Sequence, residues 1–555
     1  MKVNFKRAVA SLTIASLALG LAACGSAPAS STANSGSSAA PATSSATSQT
    51  EEIDIWAAYD EPVQITTALV ENAGIQWHDG DTYDDNPWYR EYKERFNIEV
   101  TNKWIVSSDY STKLNLSIAD GDLPDVFFCS ADQFQQLYEA GMIHDLTDVY
   151  EQYASDTLKG YMEAEAATFD TAKRDGRVYA IPQMSYGTID QISQIWVRQD
   201  WMKEAGVDSL DTMDDVTELA RVFMEKYNTY GITEDKDLTG FFIMAPAWGA
   251  HPKIWVETED GTLGYGSVQP EMKDALAAYA EWYAEGILDP EFVSRDMSAM
   301  SQEVVSGKAG INPFYQWWGD DPGVAVIGNL GPDAIFDAYE IPSAIGQEVT
   351  YPITFPNYGY IVVSKDCEHP EAALKLLNLF AYLSDDAAGV EDPEWLNNFF
   401  DKAYPVIPYG LRVFNPQTDY EQYVQVSSAL AEDGEVDVAA LGKNSAKYFN
   451  CVEFLENGTP AAVADFCQQG NGEHAAYYIS KNALDEGRIV TDAMWGSPTM
   501  TIGNMGSTLD DILLEGFTKI IVGQESIDYF DTLVAEWEAA GGAMATQEIN
   551  ETSGG

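Results

Sequence analysis

The stretch Gly121-Asp122-Leu123-Pro124-Asp125-Val126-Phe127-Phe128 is where the fold first becomes readable. Its first half is crowded with turn formers and its second half is an apolar, β-prone run, so it reads as a turn feeding a buried strand. Downstream, Val178-Tyr179-Ala180-Ile181-Pro182 reads as a second short extended piece. Thr212 with Asp215 three residues on resembles a capping box with Asp in place of Glu or Gln, and Val216, Leu219, Ala220 and Phe223 follow at helical spacing. Gly359 to Ser364 is a Val/Ile-rich strand. His369-Pro370-Glu371 then opens a helix with Pro in its first turn and Ala373, Leu376, Leu377 and Phe380 on its apolar face. Near the end, Tyr529, Phe530, Leu533, Val534 and Trp537 repeat that spacing, and Gly541-Gly542 marks a stop. Strands alternating with helices predict an α/β architecture with largely parallel sheets.

Toward the N-terminus the composition changes. Lys2, Lys6 and Arg7 precede an uncharged apolar run, Ala8 to Ala23, that is too short to span a bilayer and fits a secretory signal peptide. Leu21-Ala22-Ala23-Cys24-Gly25 resembles a bacterial lipobox. The small residues suit a peptidase slot, and the Cys24 thiol would take the lipid. The competing reading is an ordinary signal peptide with an incidental Cys. Gly25 to Thr50 is Ser, Ala, Thr, Pro and Gly with almost nothing else and no charge, so it cannot bury enough apolar surface to offset its entropy. Residues 1–23 are thus expected to be a signal peptide and 24–52 a lipidated Cys with a flexible tether. A folded body would be held at the extracellular face of a cell membrane.

That body, about 500 residues from Ile53 onward, is long enough for two lobes. The net charge of −58 excludes nucleic acid, which needs clustered Lys and Arg, and argues against an anionic polymer held by charge alone. A solvated acidic surface explains it. With Cys24 assigned to lipid, Cys129, Cys367, Cys451 and Cys467 match no zinc pattern. Either Cys451 pairs with Cys467 or all four are buried thiols. Asp79, Asp81, Asp84 and Asp85 read as a solvated turn.

Several segments, in order and spacing, resemble the extracellular solute-binding protein family 1, in particular its LipO-like lipoprotein branch. Ala119 to Val126 is similar to its "sGd-PDv" turn, and Gly141-Met142-Ile143 before Leu146 to its "G-i-pL" piece. Asp175 to Pro182 is similar to "dGkvYgiP", Val197 to Met202 to "iRkDWL", and Tyr283 to Pro290 with Gly307 to Gly310 to "y-eGlidpe…GkaGm". His369 to Ala373 resembles "hPEAa", and Thr518 to Gly542 the C-terminal "tkII-G…iD-fd…W…GG". The resemblance covers nearly the whole body. It implies a two-lobed periplasmic-binding-protein fold (type II-like), closing about a hinge on a ligand. Lobe 1 would comprise 53–185 plus about 355–400, and lobe 2 about 186–354 plus about 401–555. It also implies a monomer that hands a carbohydrate to ABC permease subunits with a cytoplasmic ATPase. Many relatives carry a calcium loop after the helix matching Val216–Lys226. Here Asp235, Asp237 and Gly240 are only a fragment of it, with Thr239 at a ligand position and Pro246 where the acidic twelfth residue belongs. No metal or other cofactor is expected.

Sugars bind flat aromatic faces and planar polar groups in a cleft. With 14 Trp and 30 Tyr, each aromatic needs a positional reason to be singled out. Trp317 and Trp318 follow the Gly307–Gly310 turn, where related sugar binders place a cleft aromatic. On an extended segment they would point in opposite directions, one to ligand and one to core. Trp248 and Trp495 sit in loop-like contexts, Tyr186 follows the first expected hinge crossing, and Tyr358 precedes the return strand. Asp132 lies just past the carboxyl end of the Val126–Phe128 strand, where α/β sheets place ligands. Arg198 would bond a sugar hydroxyl or carboxylate, or else pair with Asp200. A secreted glycoside hydrolase is the rival from another class, since two carboxylates suffice for one. Neither a G-x-S-x-G elbow nor H-E-x-x-H is present, and the five His are scattered. A peptide or other small solute is the alternative ligand.

Overall fold

A computed structural model describes residues 53–553 apart from 73, 186, 321, 388–389, 401–402, 433–435 and 497. The expected signal peptide, Cys24 and the tether lie outside the described residues. Gly121 closes the helix Tyr110–Asp120 in the left-handed region at φ 69°, and the chain enters the strand Val126–Cys129 five residues later. The Asp125 carboxylate accepts hydrogen bonds from Thr66 N (2.7 Å) and Thr66 Oγ1 (2.6 Å), which staples this strand to the strand Val63–Val70.

Nine strands place the core. They are β1 (Val63–Val70), β2 (Ile98–Val106), β3 (Val126–Cys129), β4 (Ile181–Met184), β5 (Gln194–Arg198), β6 (Tyr230–Ile232), β7 (Ala309–Phe314), β8 (Phe336–Tyr339) and β9 (Asn357–Val363). β1 and β2 pair in parallel. A first sheet has the order β3-β9-β4 and both of its pairings are antiparallel. A second has the order β8-β5-β7-β6, with only β7–β6 parallel. The expectation of largely parallel sheets is therefore corrected. Successive strands joined by a helical crossover pair in parallel. Here β7, β8 and β9 return from late in the chain to lie beside much earlier strands, and most of them run the other way.

The first core is built on β1 to β4 and β9 with the helix Pro370–Ala381, and it continues through Tyr404, Ile407, Leu411 and Val413. It thus runs past the boundary expected near 400. The second lies against the second sheet, where strand alternation divides two apolar clusters. Ile195 and Val197 of β5 pack with the helices Met213–Tyr227, Met272–Glu285 and Met500–Ile521. Between them, Trp196 points to the other face, among Phe314, Trp318, Phe336 and Phe466. The helix Met213–Tyr227 starts as predicted. Thr212 and Asp215 form the reciprocal cap, and Val216, Leu219, Ala220 and Phe223 are buried. Such a cap contributes about 1 kcal/mol, and each large apolar side chain about 2 kcal/mol on burial.

His369 is the N-cap and Pro370 the first residue of the helix Pro370–Ala381. This helix is buried nearly all round, so even Lys375 is only 4% exposed. Its ammonium donates to the carbonyls of Ile55 (2.8 Å) and Ala57 (2.9 Å), where the described chain begins. Trp56, between them, packs on Phe96 and Tyr382.

Gly541-Gly542 is a kink rather than a stop. Gly541 takes φ 139°, and a Cβ on Gly542 would come within 2.2 Å of the Trp537 ring. The chain then resumes as the helix Ala543–Ser553. Cys129, Cys367, Cys451 and Cys467 are all free and buried. Cys451 donates to the Asp465 carbonyl at 3.3 Å, so the thiol reading holds rather than the disulfide. Among the described residues no helix is long and apolar enough to cross a membrane.

Candidate functional site

Three segments carry the chain between the first core and the second. The one after β4 runs through Ser185 to Ser193, and the one before β9 through Thr354 to Pro356. They are stitched together: Ser185 N donates to Pro356 O (3.0 Å), Thr354 N to Gln191 Oε1 (2.8 Å) and Gln191 Nε2 to Thr354 O (3.1 Å). The third passes Pro416 on its way to the helix Thr418–Ala431. Gly187 meets it so closely, at φ 108°, that a Cβ would lie 1.9 Å from the Pro416 carbonyl oxygen. Only glycine fits this crossing.

The first two of these crossings line a cavity of about 550 Å³. Its walls carry five aromatic rings, Phe242, Tyr315, Trp317, Phe355 and Tyr358. Polar groups stand between them, among them Asp190, Gln191, Ser193, Lys253, Gln316 and Asn357. This is the composition of a pocket for a solute with flat apolar faces and many hydrogen-bonding groups.

Trp317 owes its place to a 3₁₀ turn, Gln316–Gly319, that follows β7. Its ring lies 4.4 Å from Phe314, edge to face, and nearly parallel to Tyr315 at 6.3 Å. Trp318, one residue on, turns into the core. It is 1% exposed, stacks on Trp196 at 5.0 Å and donates from Nε1 to Asn312 Oδ1 at 2.8 Å. The predicted division between the two rings appears, but a 3₁₀ turn makes it rather than an extended segment. Trp318 is thereby corrected from a cleft residue to a core residue.

Tyr358 also lines the cavity, 55% exposed, with its ring edge to face with Phe414. Trp495 does not line the cavity. It stands behind Phe355, ring centroids 5.0 Å apart. Trp248 is corrected to core, because it closes the second apolar cluster against Trp282. Arg198 is also corrected: it is 7% exposed, pairs with Asp200 (Nη2 to Oδ2, 2.8 Å) and lies over the Trp201 ring. Asp132 is in the first turn of the helix Ala131–Glu139 and is not among the residues that line the cavity. It approaches the helix Met500–Ile521, where a Cβ on Gly503 would lie 3.5 Å from its Oδ2. Tyr186 lies outside the described residues.

Sequence reasoning missed Asp190, Gln316, Lys253 and Phe242. Asp190 shares a hydrogen bond with Asp419 at the start of the helix Thr418–Ala431, with Gln316 and the Tyr477 hydroxyl also in reach. Burial and the adjacent carboxylate push Asp190 well above the usual carboxylate range, and Asp419 is raised as well by burial. No local motif signals such a pair, because its members are far apart in sequence. Gln316 had a usable signal in its position next to Trp317.

The stretch where relatives carry a calcium loop is tied up internally. Glu234 accepts from the backbone N–H of Asp235, Gly240 and Phe241, and Asp235 from Asp237 N, Thr239 N and Thr239 Oγ1. Burial raises Glu234 to about 8 despite those donors. Every carboxylate oxygen of the two is thus engaged by the protein itself.

The family model for bacterial extracellular solute-binding proteins matches residues 78–388. The chain is 23% identical over 495 residues to lipoprotein LipO of Bacillus subtilis, covering 84% of this chain and 89% of that protein. It is 20% identical over 489 residues to the polygalacturonan/rhamnogalacturonan-binding protein YtcQ of Bacillus subtilis, covering 83% and 87%. Among solved structures, it resembles an HMO-binding, ABC-transporter-associated solute-binding protein from Bifidobacterium longum infantis. That likeness has a TM-score of 0.59 at 12% identity and covers 89% of this chain and 98% of that one. It shows the two-lobed solute-binding fold. The family model spans more than half of the sequence, and the chain belongs to the bacterial extracellular solute-binding protein family.

Proposed function

We propose that the protein captures an oligosaccharide in the cavity between its two lobes and delivers it to an ABC permease driven by a cytoplasmic ATPase. The observation that carries this reading is the cavity itself. The half-buried ring of Trp317 and the exposed ring of Tyr358 both line it, together with planar amide and carboxyl groups. The C–H face of a pyranose stacks on such rings while its hydroxyls bond such groups. YtcQ is named for binding polysaccharide, which supports the same ligand class here.

In this reading the first lobe comprises residues 53–185 and about 355–413, because the first core reaches Val413. Trp317 and Tyr358 stack on the sugar, Gln316 and Asp190 bond its hydroxyls, and Tyr186 adjoins them in sequence. Asp132 and Trp495 act at the margin, where the two lobes approach. Cys24 carries the lipid that holds a monomer at the extracellular face of the membrane, with no nucleic acid and no metal involved. The protein binds without cleaving. Asp190 and Asp419 are hydrogen-bonded to each other, whereas glycosidases hold their carboxyl pair about 5 Å or more apart.

A thermal-shift screen of the chain from Ile53 onward against plant and host oligosaccharides tests this. A ligand that binds only the folded state raises Tm by mass action. A shift with one glycan class, the glycan being recovered intact, supports the reading. Shifts with peptides alone would replace sugar by peptide, and cleaved glycan would make the protein an enzyme.

A further inference from the structure

Lys253 is the one cationic residue among those lining the cavity. Its backbone is held in the left-handed region at φ 66°, where a non-glycine residue is uncommon, and Ser267 Oγ fixes it by accepting from Lys253 N at 2.8 Å. Strain of this kind persists where the surroundings over-determine it, and it concentrates at ligand sites. The ammonium lies over the face of Phe242, 3.9 Å from the ring centroid, and no carboxylate is within ion-pair distance among the described residues. Lys273, Lys308 and Lys447, none of which lines the cavity, by contrast pair with acids. The carboxylates nearest in field are already engaged. Glu234 and Asp235 are filled by backbone and hydroxyl donors, and Asp510 accepts from the Tyr265 hydroxyl. Lys253 is an exposed residue that lines the cavity, and partial loss of water lowers its pKa.

We infer that Lys253 receives a carboxylate of the ligand, so that the captured oligosaccharide is acidic and contains uronic acid residues. This rests on the carbohydrate reading of the cavity. A cation placed over an aromatic ring and short of an anion is completed by one that arrives from outside, as a charge-assisted hydrogen bond. The acidic surface of the protein does not oppose it, since exposed charges beyond about 10 Å are screened at ordinary ionic strength.

The test is calorimetric titration with tetragalacturonate, its fully methyl-esterified form and neutral galactotetraose. Wild type is expected to bind the acid at least about tenfold more tightly than the ester, and added salt should narrow the gap. Lys253→Gln should bring the acid down to the ester, and Lys253→Arg should keep the preference. If the ester or the neutral sugar binds as tightly as the acid, or if Lys253→Gln keeps the gap, the assignment of Lys253 is overturned while the sugar cleft stands. If none of the three binds, and peptides shift the Tm in their place, both fall.

Discussion

Two stretches that border the same cavity treat charge in opposite ways. Between Thr233 and Phe241 the acids Glu234 and Asp235 are buried, and each of their oxygens accepts a hydrogen bond from the protein. At Pro252–Lys253 the ammonium faces an aromatic ring and open volume. The tryptophan pair repeats the contrast, since Trp318 has its stacking partners and its acceptor while Trp317 presents a face to the cavity. The lesson is that completed partners mark the scaffold and incomplete ones mark the place where a ligand finishes the network.

Breaking the completed side should cost the most stability. Trp318→Ala opens a cavity among Trp196 and Phe336, and urea unfolding should show a loss of about 4 kcal/mol. Glu234→Ala strands three backbone N–H groups and should cost about 3 kcal/mol in the same assay. The open side should behave otherwise. Trp317→Ala is expected to change unfolding by no more than about 0.5 kcal/mol, yet to weaken oligosaccharide binding by about 2 kcal/mol in calorimetry. Equal stability losses for Trp317→Ala and Trp318→Ala would erase the distinction.

The smallest effect near pH 5 belongs to Asp190→Asn. Burial and Asp419 hold Asp190 in the fold well above the 3.8 of an ordinary Asp. Above that ordinary value the folded state binds more protons, so its share of stability is complete at low pH and is lost as pH rises. Asp190→Asn imitates the protonated form. A pH series of Tm should therefore fall less steeply in the variant from pH 5 to 9, and an unchanged slope would remove Asp190 as the source.

Much of the fold was legible wherever the cause is local. The Thr212–Asp215 cap, the His369–Pro370 start and the strand at Val126 all depend on neighbours within a few residues. Sheet direction was not legible, because β9 joins β3 and β4 from far along the chain. Gly541-Gly542 misled for a related reason. A glycine pair signals an end, but the Trp537 ring against Gly542 turns it into a bend. In the site, Trp317 and Tyr358 could be read from their place beside turns and strands. Trp248 and Arg198 could not be told from ligand contacts until their partners, Trp282 and the Asp200–Trp201 pair, were in place. Asp190 and Lys253 are isolated in sequence, and only the assembled cavity gives them meaning.

The clamp at the start of the described chain has a mechanical consequence. Lys375 grips the carbonyls of Ile55 and Ala57 from a helix buried in the first core, with Trp56 wedged on Phe96 and Tyr382 between them. A pull on the chain at Ile53 is thus taken up by the centre of one lobe, far in sequence from the stitched crossings at Gln191 and Thr354.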